Sequence, residues 1–118
     1  MPKIIAKIFR NSSGNVYGFT IDNHSEDVVC LAVSILALNL VNSIETFVGH
    51  IFNIEADEVE GGHIFFDIPS IKAGEFIRDA DLLLKSFVLG LKGIQEEYGE
   101  FIEVSDNISI LQGTLSDI

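Results

Sequence analysis

The sequence predicts an α+β domain in two layers, with two long helices over one face of a mostly antiparallel or mixed sheet. Short runs rich in β-branched and aromatic residues flank turn clusters at residues 11–15 and 60–62, the pattern of two β-hairpins. Two longer segments, 28–48 and 74–98, are apolar or amphipathic over lengths that exceed ordinary strands. Read along the chain, the order is β-β-α-β-β-α-β, which places the helices together against one sheet. A chain of 118 residues suits one domain, expected over 1–105, with 106–118 as a C-terminal edge extension or tail.

Residues 3–10 are apolar with basic punctuation and read as the first strand. Asn11-Ser12-Ser13-Gly14-Asn15 is a turn cluster, and 16–22 is a second strand with Tyr17, Phe19 and Ile21 alternating. Asn23-His24-Ser25-Glu26-Asp27 supplies helix-capping residue types and two acids ahead of an apolar run. That run, 28–48, is predicted to be a helix stopped by Gly49. It is apolar around most of its circumference, which predicts burial on more than one face. Residues 51–59 alternate weakly, Glu60-Gly61-Gly62 is a turn, and 63–68 is a strand ended by Pro69. Over 74–98, Phe76, Ala80, Leu83, Phe87, Leu91, Ile94 and Tyr98 recur at helical spacing. Residues 101–104 form the last expected strand.

Charge narrows the function classes. Seven Lys and Arg against 18 Asp and Glu leave −11, which repels phosphate backbones and excludes bulk affinity for nucleic acid. The same charge favours basic peptides. Glu55, Asp57, Glu58 and Glu60 concentrate it in the second hairpin, either as a solvated strand or as a contact surface for a basic substrate. One cysteine precludes an intramolecular disulfide and fits a reducing, cytoplasmic compartment. The N-terminal residues lack an apolar core of signal-peptide type. The longest apolar stretch, 28–41, is interrupted by Ser34 and Asn39 and falls short of the roughly 20 residues of a bilayer crossing, so no membrane span is expected. His50, His63, His24 and Cys30 show no recognisable metal-ligand spacing, and no glycine-rich phosphate loop is present, so no metal or cofactor is expected.

The chemistry concentrates around Cys30. It falls in the first turn of the expected helix, where unpaired backbone N–H groups and the positive end of the helix dipole favour a thiolate over a thiol. In such settings, beside a protonatable His, cysteine pKa values drop to about 3.5–7.5. His24 ends the preceding strand, and a short connection can fold its ring back toward the sulfur. Ser34, one turn beyond Cys30, shares its helix face. The plainer reading is a buried cysteine acting as a small hydrophobe and a histidine near a helix start acting as a cap; a spacing of six residues does not decide between them.

The segment Asp27-Val28-Val29-Cys30-Leu31-Ala32-Val33-Ser34 resembles the signature of the ribosomal-processing cysteine protease family, Prp. The likeness extends to residues 39–45, to Glu60-Gly61-Gly62-His63, and to 89–98. It implies a cysteine endopeptidase that removes a short N-terminal extension from a large-subunit ribosomal protein precursor. It implies His24 and Cys30 as a catalytic dyad, with Asp27 and Ser34 as supporting polar positions. The family has Gly before the histidine where this chain has Asn23, a residue that also tolerates left-handed backbone. The family's loop between His and Cys is usually longer and glycine-rich, whereas only residues 25–29 intervene here. Apolar surface left over on the first helix predicts a homodimer. Two rivals remain: a non-catalytic relative acting as a peptide-binding or ribosome-assembly module, and a small metal-dependent or redox protein.

Overall fold

In the computed structural model, residues 3–23, 28–57 and 62–106 are described. Strand β1 (Ile4–Arg10) and strand β2 (Val16–Asp22) form the first hairpin. The turn between them is organised by Asn11. Its side-chain carbonyl accepts from the N–H groups of Ser13 and Asn15, both at 3.0 Å, while its amide donates to the Ile71 carbonyl at 2.7 Å. Gly14 sits at φ 87°, the left-handed conformation such a turn requires.

Helix α1 (Val28–Ser43) continues into one π-helical stretch, Ile44–Val48, and Gly49 closes it at φ 67° with its N–H bonded to the Ile44 carbonyl at 2.9 Å. Strand β3 (Asn53–Asp57) and strand β4 (His63–Asp67) form the second hairpin. A short helix α2 (Pro69–Lys72), unannounced by periodicity, begins at the proline expected to end the strand. Helix α3 (Arg78–Tyr98) starts four residues later than expected, because Gly74 at φ 111° and the extended Ile77 hold the chain in a turn. Strand β5 (Ile102–Asp106) completes the sheet.

The strand order is β3-β4-β2-β1-β5, antiparallel throughout except for the parallel pair β1–β5. The expected α+β class and mixed sheet are therefore present. Alternation puts Ile4, Ala6, Ile8, Phe19, Ile21 and Phe66 on the helix side. There Phe19 meets Phe87 of α3 at 4.4 Å between ring centroids and Phe66 at 5.4 Å. Gly18 is a packing requirement: a Cβ there would run into the Phe66 carbonyl oxygen and lie 2.9 Å from Asp67 Cβ. At Gly90 of α3 a Cβ would meet only the side-chain tip of Leu36 of α1, at 3.1 Å.

Two expectations about α1 need correction. It is buried along one face only, through Val29, Cys30, Val33, Ala37 and Leu40, a face that Ile44 of the π-helical stretch continues. Val28, Leu31, Ile35 and Leu38 form an exposed stripe, 59–81% accessible, because among the described residues no second layer stands against that side of the helix. Length also does not set this helix apart from a membrane span. Val28–Val48 runs 21 residues with a mean hydropathy of 1.9 in its most apolar stretch, enough to cross a bilayer by length and composition. Its inner face nevertheless packs into the core with α3 and the sheet.

At the far edge, Asp106 is buried and accepts from Arg10 Nε (2.8 Å) and Nη2 (2.9 Å) and from Lys92 Nζ (3.0 Å), tying β5 to β1 and α3. Residues 107–118 lie outside the described residues.

Candidate active site

Cys30 is the third described residue of α1. It is buried, 2% accessible, and its Sγ lies 4.0 Å from Ser34 Oγ, one helical turn on. The two predicted helix-borne positions, Cys30 and Ser34, thus share one face and are in contact. His24 and Asp27 lie outside the described residues.

The chain on the near side of that segment is held firmly. Asn23 adopts φ 66°, the left-handed backbone for which Asn and Gly are suited. Its N–H donates to the Gly62 carbonyl at 3.2 Å and its Nδ2 to the Lys3 carbonyl at 3.3 Å. Asn23, the residue after β2, is therefore tied to Gly62 just ahead of β4 and to Lys3 just ahead of β1, immediately before His24. Beside it, Asp22 Oδ1 lies 2.5 Å from His63 Nδ1, a cross-strand pair in register between β2 and β4. That pair carries no signal in the linear sequence, since its members stand 41 residues apart. Only the register of the second hairpin on the first brings them together.

A cleft of about 280 Å³ opens between α1 and the second hairpin. Ser34, Ala37, Leu38 and Val41 form its helix wall; Ile54, Ala56 and Ile64 form its sheet wall, with Asp57 and His63 at the end. Ser34 lines this cleft and also touches Cys30, so the apolar groove runs up to the sulfur's immediate neighbour. Beyond Ser34, Asp57 and His63, the groove residues carry no signal in the linear sequence, because α1 and β3 meet only through the fold. Among the described residues no group of three or more His, Cys, Asp or Glu could hold a metal ion.

The α+β sheet thus brings together a cysteine on α1, a hydroxyl in contact with its sulfur and an adjoining apolar groove, and the class of protein is that of the cysteine proteases. The family model described as Cysteine protease Prp matches residues 3–103, and the chain belongs to that family. A ribosomal processing cysteine protease Prp of Staphylococcus aureus is 30% identical over 108 residues, covering 86% of this chain and 97% of the relative. The Bacillus subtilis protein of the same name is 27% identical over 85 residues, 72% of this chain and 75% of its own length. The crystal structure of SMU.848 from Streptococcus mutans superposes with a TM-score of 0.79 at 27% identity, covering 89% of this chain and 97% of that one. The S. aureus ribosomal processing protease Prp, solved with a covalently linked product peptide, gives 0.73 at 26% identity, covering 87% and 98%.

Proposed function

We propose that this protein is a cytoplasmic cysteine endopeptidase that removes a short N-terminal extension from a large-subunit ribosomal protein precursor. The observation that carries the reading is the contact of Cys30 with Ser34 on α1 beside an open groove, in a chain of the Prp family. Cys30 is the nucleophile. Its thiolate attacks the scissile carbonyl, and backbone N–H groups at the start of α1 hold the developing oxyanion. His24 takes the thiol proton and then gives it to the leaving amine, so that an acyl-thioester remains on Cys30. Water, deprotonated by His24, hydrolyses that ester and frees the sulfur. Ser34 donates its hydroxyl hydrogen toward the thiolate, and Asp27 supports the site from the segment that joins His24 to the helix. The exposed stripe Val28, Leu31, Ile35 and Leu38 is the face through which two copies associate.

The deciding experiment incubates the precursor with wild-type protein and with Cys30→Ala, and follows the new N-terminus by mass spectrometry. Cleavage by the wild type alone supports the reading; cleavage by neither, or by both, removes it. The burial of Cys30 and the short connection before it favour one other reading, a non-catalytic peptide-binding relative. Alkylation at about pH 6 separates the two, since an activated thiolate reacts fast there and a structural thiol does not.

A further inference from the structure

The groove is open along one margin of the sheet. Strand β3 is terminal in the order β3-β4-β2-β1-β5, and among the described residues no strand pairs with its outer side. Antiparallel pairing turns the N–H and C=O of every second β3 residue toward that side, where they present a ready template for another strand. All five β3 residues are exposed.

The two faces of this edge differ chemically. Ile54 and Ala56, opposite Phe66 and Ile64, point toward the helix layer, yet Ile54 remains 43% accessible because the groove separates it from α1. Glu55 and Asp57, opposite Phe65 and His63, alternate to the other face and carry negative charge.

We infer that the substrate docks by joining the sheet as an added strand alongside β3. It inserts an apolar side chain into the groove and sets a basic residue across from Glu55. This rests on the endopeptidase reading and adds the conformation and side-chain pattern of the substrate. Three observations carry it. The groove volume, about 280 Å³, lies at the low end for ligand pockets, which suits side chains rather than a whole small molecule. Main-chain pairing at an exposed edge supplies affinity while alternate side chains supply selectivity. The groove leads to Ser34 and so to Cys30, which places a strand-bound peptide bond near the nucleophile. A second copy of this chain is a poor occupant, since two acidic β3 edges would set like charges opposite one another in a protein of net charge −11.

The test uses the full chain carrying Cys30→Ala, so that docking is read without turnover. The probe is a fluorescein-labelled peptide spanning the precursor's extension and processed bond, followed by anisotropy. Adding Ala56→Phe, which fills the groove from an exposed position, should weaken binding about tenfold. Glu55→Lys should weaken it as well, and Glu55→Asp should restore most of the loss. Ala56→Phe and Glu55→Lys should both keep the far-UV circular dichroism spectrum of the parent chain and its midpoint in chemical denaturation, which reports an intact fold. A backbone N-methylation scan of the peptide should abolish binding with a period of two, as only alternate N–H groups face β3. Unchanged binding in Ala56→Phe, or an N-methyl scan without alternation, overturns the docking edge. Normal, alternating binding with no cleavage by the wild-type chain overturns the endopeptidase reading and leaves the edge standing.

Discussion

At the scale of single residues, the site depends on where one helix starts. Cys30 occupies its place because α1 begins by Val28, and Ser34 lies against it because four residues complete about one turn. Ser34→Ala should slow Cys30 alkylation near neutral pH about fivefold by removing a donor to the thiolate, measured as a second-order rate with iodoacetamide. Cleavage should follow a bell-shaped pH profile. Its acid limb reports loss of the thiolate and its alkaline limb loss of the His24 proton, and both limbs belong to the coupled pair. His24→Ala should remove the bell and most of the activity, whereas His50→Ala should leave both nearly intact. An unchanged rate in His24→Ala would show that another group is the base. Asn23 illustrates how far one residue type can be read: its tolerance of left-handed backbone was legible in the sequence, and φ is 66°.

At the scale of elements, close approaches carry the fold. Gly18 lets β2 lie against the Phe66 carbonyl of β4, and the Asp22–His63 pair depends on the same register. Gly18→Ala should cost about 2–3 kcal/mol in chemical denaturation, with the loss appearing as a lower midpoint at unchanged slope. Phe87→Ala, which empties the α3 side of the aromatic cluster, should cost about 3–5 kcal/mol. Both hairpins, α1 and the body of α3 were readable from turn clusters and periodicity. The start of α3 was not, since Phe76 continues the helical spacing while standing outside the helix, 58% accessible. Helix α2 escaped because four residues are too few to show a period.

At the scale of the whole molecule, the uncovered face of α1 predicts self-association. The stripe Val28, Leu31, Ile35 and Leu38 should bring the protein to twice its 13.0 kDa mass in light scattering, and Leu31→Glu with Ile35→Glu should return it to the monomer. A clean wild-type monomer at micromolar concentration would remove that association. The sequence by itself determined the α+β class, the order of the long elements, a cysteine within the first long helix and the Prp-type signature around it. These follow from local causes: period, turn chemistry, capping residues and a contiguous motif. Tertiary structure alone decided that β5 lies parallel to β1 with Asp106 buried between Arg10 and Lys92, that one face of α1 stays uncovered, and that a groove separates α1 from β3. Each of these depends on which surfaces meet across long stretches of chain. Hydrophobic burial is non-directional, so an apolar helix declares that it needs cover without declaring which of its faces the sheet will supply.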